Sequence, residues 1–184
     1  MKKELMKEST EYLKAILIGI IIFVLIRTFL FTNYIVNGES MMPTLEEGNK
    51  LIVNKISTQI GKLNRFDVIV FHATEEEDYV KRIIGLPGDS VEYRNDQLYI
   101  NGKKYDEPYL DHYKRENQEG YLTENFFLKE ITGKNTVPGD MLFVLGDNRK
   151  GSWDSRDFGF IKIDQVVGKV NLRYWPLTDF DTSL

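Results

Sequence analysis

The sequence predicts a mainly β fold, a twisted antiparallel β-sheet ectodomain carried on a single N-terminal transmembrane helix. Three observations lead there. One long apolar run occupies Tyr12 to Phe31. Every later apolar run is only a few residues long and rich in Val, Ile and Leu, and Gly, Pro, Asn and Asp separate these runs at short intervals. That spacing belongs to many short strands joined by turns, not to alternating strands and helices. A chain of 184 residues buries one substantial core, so residues 32–184 are expected to form one domain.

The apolar run is read as an anchor over residues 12–31. Its heart, Ala15 to Ile26, has no polar side chain, and roughly twenty residues at about 1.5 Å each reach across the ~30 Å of a bilayer core. Arg27 interrupts it. A charge at the centre of a spanning helix costs about 2.5 to 3.5 kcal/mol, but Arg27 lies near the outer end, where its stem can snorkel to the interface. Phe29, Phe31 and Tyr34 then read as an interfacial aromatic belt. No small-x-small cleavage site follows the run, so it is an uncleaved anchor and not a removable leader. Lys2, Lys3, Lys7 and Lys14 crowd the N-terminal flank, which puts residues 1–11 in the cytoplasm and residues 32–184 outside the cell membrane.

Strands are expected at Lys50 to Asn54, Asp67 to Phe71 and Tyr79 to Ile84, the last two joined by the acidic tip Glu75-Glu76-Glu77-Asp78. Val91 to Tyr93, Gln97 to Ile100 and Lys103 to Tyr105 follow, linked through Asn95-Asp96 and Asn101-Gly102, dipeptides suited to two-residue hairpin turns. Glu107 to Thr136 is polar with scattered aromatics and reads as a loop-rich excursion or small subdomain. Met141 to Leu145 and Val166 to Tyr174 complete the strands.

Composition removes several function classes. A net charge of -4, with no basic cluster interleaved with aromatics, gives no footprint for nucleic acid. The chain has no cysteine, which excludes disulfides and thiolate chemistry. Two histidines, His72 and His112, have no metal-ligand spacing, so neither a metal nor any other cofactor is expected. His72 closes an apolar strand and His112 sits in the polar excursion, positions that suit neither to a Ser-His-Asp triad.

Chemistry is sought instead at Asn37-Gly38-Glu39-Ser40-Met41-Met42-Pro43-Thr44-Leu45. Gly38 permits a positive φ, while Pro43 locks its own φ at a negative value and removes one donor, so Ser40 lies on a tightly specified bend that can present its hydroxyl, although these residues alone also make an ordinary turn. Two further blocks lie downstream, Tyr79-Val80-Lys81-Arg82-Ile83-Ile84-Gly85-Leu86-Pro87-Gly88-Asp89 and Gly146-Asp147-Asn148-Arg149-Lys150-Gly151-Ser152-Trp153-Asp154-Ser155-Arg156. The three blocks, in this order behind one anchor, resemble the type I signal peptidases, membrane-bound Ser/Lys proteases that remove signal peptides from exported proteins. The single anchor and compact size are similar to the Gram-positive form.

The resemblance implies a mostly β catalytic fold with Ser40 as nucleophile and Lys81 as its general base. A serine hydroxyl needs such a base. With an ordinary pKa of about 10.4, fewer than about one lysine in a thousand is neutral at pH 7, so burial must lower it by about two to three units. The resemblance makes Ser152 the residue that orients the lysine, with Asp147, Asp154, Arg156 and Arg82 as supporting groups. Gly38 stands where the Gram-negative pattern has a serine that contributes to the oxyanion site. The Ser40 amide remains one candidate donor, and the second is another backbone amide or an ordered water. Tyr34, Val36, Met41, Leu45, Leu51, Val70, Tyr79 and Val80 are implied to line shallow pockets for an Ala-x-Ala-like site, entered by an extended substrate strand. The implied partners are signal-peptide-bearing precursors and the lipid bilayer. An inactive binding protein of the same fold is a rival, and it predicts that Ser40→Ala changes nothing. A self-cleaving Ser/Lys regulator is the other, and it would need a soluble DNA-binding domain where this chain has its anchor.

Overall fold

A computed structural model describes residues 2–55, 63–117, 120–182 and 184, with side chains of residues 2–10 and 25–29 outside that description. Helix α1 spans Lys2–Phe29, so it begins well before the expected anchor. Its side chains from 11 to 24 are all exposed, among them Leu13, Ile16, Ile20, Phe23 and Val24, and this stretch buries no face against the rest of the protein. The expectations for Arg27 and Phe29, and for Lys2, Lys3 and Lys7, fall on side chains outside the described set. Among the described residues, no helix is long and apolar enough to cross a membrane.

Phe31 is not the end of the helical run but the first residue of strand β1, Phe31–Ile35. β1 pairs antiparallel with β2, Lys50–Asn54, from Phe31↔Asn54 to Ile35↔Lys50. β3 is Val68–His72, β4 Asp78–Gly85, β9 Met141–Leu145, β10 Ile161–Lys162 and β11 Val166–Trp175. They form one seven-stranded sheet in the order β1-β2-β11-β3-β4-β9-β10, with every pair antiparallel. The sheet curls. Tyr34 on β1 donates to Asp78 on β4 at 2.6 Å although three strands lie between them in the order.

β3 explains where the core sits. Val68 and Val70 pack into one apolar cluster with Val36, Met41, Leu45 and Leu51, whereas Ile69 and Phe71 pack into another with Ile83, Leu142 and Val144. Period-two alternation therefore buries both faces of this central strand, which is why it reads as a continuous apolar run.

A second sheet holds β5, Val91–Arg94, β6, Gln97–Ile100, β7, Lys103–Tyr105, and β8, Phe126–Phe127, in the order β7-β6-β5-β8. Its first turn places Asn95 and Asp96 at φ 51° and 61°, the left-handed pair that a twisted two-residue hairpin requires. The polar excursion carries short helices among its loops. It contains α2, Asp111–Glu116, and α3, Leu128–Thr132, and Leu122, Phe126 and Leu128 are buried. The apolar side of the second sheet meets β4 and β9 through Tyr93, Leu98, Ile84 and Phe143.

Candidate active site

The elbow after β1 is held from within and from outside. Met42 N donates to the Glu39 carbonyl and Leu45 N to that of Met41, while Gly38 takes φ 85°. Met41 and Leu45 are buried beneath the turn, and Ser40 above them stays half-buried. Asn148 grips the same segment from another part of the chain. Its backbone N–H donates to the Ser40 carbonyl at 3.0 Å and its Nδ2 to the Glu39 carbonyl at 3.2 Å.

Lys81 comes from β4, opposite Ile69 of β3. It is 4% exposed, and its amine has no hydrogen bond or ion pair among the described residues. Lys81 Nζ lies over the Tyr79 ring, 5.6 Å from the ring centre. Burial lowers the Lys81 amine to about 8; Asp154 and Asp147 oppose that fall and Arg156 assists it. At that value roughly one amine in ten is neutral at pH 7, a few hundredfold more than for a solvated lysine.

Residues 146–156 form the third wall. Asp147 is fully buried and receives Arg82 Nε at 2.9 Å and Nη2 at 2.6 Å, together with Thr44 Oγ1 at 2.5 Å. Arg82 also donates to the Phe66 carbonyl and lies 4.0 Å from the Tyr109 ring centre. Asp154 caps α4, Ser155–Phe158, by accepting from Arg156 N. It also takes Arg156 Nε and Nη2, both at 2.8 Å, and Gly146 N at 3.0 Å. Burial works to raise the Asp154 carboxyl, and the bonds from Arg156 and Gly146 outweigh it and hold the group below its ordinary range.

Ser152 Oγ is buried and has no hydrogen-bond partner among the described residues, so the expected bond from Ser152 to the lysine is not made in this structure. It packs instead on Gly146, where an added Cβ would fall on both Ser152 Oγ and the Ser40 carbonyl oxygen. Only glycine lets these two segments approach so closely.

A cleft of about 300 Å³ is lined by Ser40 and Lys81 together. Of the expected pocket residues, Tyr34, Val36, Met41, Tyr79 and Val80 contribute to its wall, as does Gly38. Leu45, Leu51 and Val70 do not; each is 0% exposed and packs in the cluster behind the wall. Asp78 and Trp153 line the cleft without having been singled out from sequence. Neither histidine does. His72 is exposed and its Nδ1 lies 2.6 Å from Asp78 Oδ1, and His112 sits 3.5 Å from Glu116. Glu107 was missed as well, and Thr44, Asn148 and Arg149, though inside the quoted blocks, were given no role, because their contacts to Asp147, the Glu39 carbonyl and Glu107 join separate segments of the chain.

The curled antiparallel sheet thus brings a serine and a buried lysine of lowered pKa to one cleft. Residues 9–175 match the family described as signal peptidase, peptidase S26. The chain is 60% identical over 163 residues to signal peptidase I of Bacillus caldolyticus, covering 89% of this chain and 90% of that protein. It is 46% identical over 184 residues to signal peptidase IB of Staphylococcus aureus strain Mu50, covering 98% and 94%. A crystal structure of a signal peptidase I from Enterococcus faecalis V583 superposes with a TM-score of 0.56 at 48% identity, covering 59% of this chain and 96% of that one. The chain belongs to the type I signal peptidases, of peptidase family S26.

Proposed function

We propose that this chain is a membrane-anchored serine endopeptidase that removes signal peptides after small-x-small sites, with Ser40 as nucleophile and neutral Lys81 as general base. The observation that carries the reading is the burial of Lys81, without a hydrogen bond or ion pair among the described residues, in the cleft that Ser40 also lines. Lys81 Nζ takes the proton from Ser40 Oγ as that oxygen attacks the carbonyl of the last signal-peptide residue. The ammonium then returns the proton to the departing amine, leaving an ester on Ser40. Water, deprotonated by the same amine, attacks the ester and restores the serine. The Ser40 N–H is one donor to the oxyanion, and the second is a further backbone amide or a bound water.

Asp154, Arg156 and Asp147 act on the Lys81 charge balance from the loop side, Arg82 of β4 holds Asp147, and Ser152 packs beside them. Tyr34, Val36, Met41, Tyr79 and Val80 limit the substrate to small side chains, with Leu45, Leu51 and Val70 backing that wall from the core. An extended substrate would run between the ends of β1 and β4. Residues 12–31 serve as the anchor with residues 1–11 in the cytoplasm, so the catalytic domain stands outside, against the bilayer. The exposed apolar side chains of α1 support this. The deciding test incubates purified protein with a signal-bearing precursor. Wild type releases the mature chain, whereas Ser40→Ala and Lys81→Ala do not; processing by Ser40→Ala at the wild-type rate would refute the proposal.

A further inference from the structure

The second sheet reaches the site through one ion pair. Glu107, which follows β7, is 3% exposed. Its Oε1 accepts from Tyr93 OH at 2.6 Å, Tyr109 OH at 2.7 Å and Arg149 Nη2 at 2.7 Å, while Oε2 is buried with no hydrogen-bond partner among the described residues. Arg149 is buried with it, and Arg149 Nη1 also meets Tyr93 OH and Thr123 Oγ1. Burying two charges is costly, and apolar residues of the same size would serve stability as well. The pair therefore calls for another reason than stability.

Arg149 supplies one. Its Nε donates to the Gly146 carbonyl at 3.0 Å, and Gly146 is the residue whose Cα face abuts Ser152 Oγ and the Ser40 carbonyl. The residues from 147 to 149 each hold a different segment. Asp147 binds Arg82, the neighbour of Lys81 on β4; Asn148 binds the Ser40 carbonyl; Arg149 binds Glu107. Glu107 itself does not line the cleft.

Resting on the Ser40/Lys81 reading, we propose that Glu107 is a positioning residue: through Arg149 it fixes the Gly146–Arg149 turn against the Ser40 main chain and so sets the nucleophile's approach to the lysine. The second sheet is then a brace for the catalytic loop. Loss of the Glu107 charge leaves a buried guanidinium that turns toward Asp147 or Asp154 and draws the loop away from Ser40. The strand side of the cleft, formed by Tyr34, Val36, Tyr79 and Val80, does not belong to that loop and keeps its place.

The test uses the full chain in detergent and a peptide substrate with a small-x-small site. Turnover is expressed per folded molecule, the folded fraction being taken from circular dichroism well below the melting transition. Glu107→Gln is expected to lower kcat roughly tenfold to a hundredfold, as a small misplacement of reacting groups does, with KM changed less than about twofold. Glu107→Asp, too short to keep all three bonds, should fall between the two. Where Glu107→Gln does not fold, Tyr93→Phe carries the test, since it keeps the ring and the ion pair but removes a bond to each charge; a kcat loss of about threefold or more is expected. An unchanged kcat per folded molecule in the variant that folds, or a loss wholly in KM, overturns the inference. Ser40→Ala is run alongside, and its retention of activity would instead overturn the underlying dyad.

Discussion

Replacing Arg156 with Gln should move the acid limb of the pH profile to higher pH. The Lys81 amine is lowered to about 8 chiefly by burial, with Asp154 opposing the fall and the Arg156 cation assisting it. At that value about one amine in ten is neutral at pH 7, half at pH 8 and nine in ten at pH 9, so wild-type kcat/KM should climb about tenfold per unit below pH 7 and level off above pH 9. Arg156 also binds Asp154 through Nε and Nη2, both at 2.8 Å. Removing its guanidinium takes away a cation that disfavours the ammonium and releases a carboxylate that favours it. Both changes raise the Lys81 pKa, and each unit of rise costs about tenfold in activity at pH 7 while the high-pH plateau survives. The backbone N–H of residue 156 still caps α4 through Asp154. The assay is kcat/KM from pH 6 to 10 on a peptide without titrating side chains. A limb that stays in place or moves to lower pH in the variant, or a wild-type profile flat from pH 6 to 9, would refute the reasoning.

Lys81→Met should stabilise the protein while abolishing activity. Because the folded pKa lies below the unfolded one, the unfolded state holds the extra proton between about pH 8 and 10.5; the variant's advantage should be about 3 kcal/mol below pH 8 and vanish above about pH 10.5, measured by denaturant titration. Gly146→Ala should lower stability by about 1 to 3 kcal/mol and abolish processing, because its methyl falls on Ser152 Oγ and the Ser40 carbonyl; melting and precursor cleavage measured together check both.

The strands were legible wherever apolar alternation and turn chemistry agreed, as from β3 through β7. β1 was not, because Phe31 to Ile35 continues the apolar run of α1 and a strand there differs from an interfacial aromatic belt only through its pairing with β2. The short helix α4 had a signal in the Asp154-x-x-Asp157 capping box, since Asp157 Oδ2 accepts from Asp154 N at 3.1 Å, but the surrounding charges read equally well as a loop. At the site, the elbow residues showed a bend and no more. That Lys81 shares a cleft with Ser40 depends on the curl of the sheet, which no local periodicity reports. Leu45, Leu51 and Val70 show the same limit from the other side: a core residue and a pocket wall have the same composition, and only packing separates them. Glu107 is the extreme case, a polar residue in a polar stretch whose partners Tyr93 and Arg149 lie on either side of it in the chain.

The most direct test of the account is the covalent intermediate. Enzyme mixed at pH 9 with a peptide ester carrying a small-x-small sequence, quenched in acid and analysed by mass spectrometry, should carry the acyl group on Ser40, and Lys81→Met treated identically should carry none. An adduct on another residue, or one formed on Ser40 equally fast without the lysine, would contradict the proposed dyad.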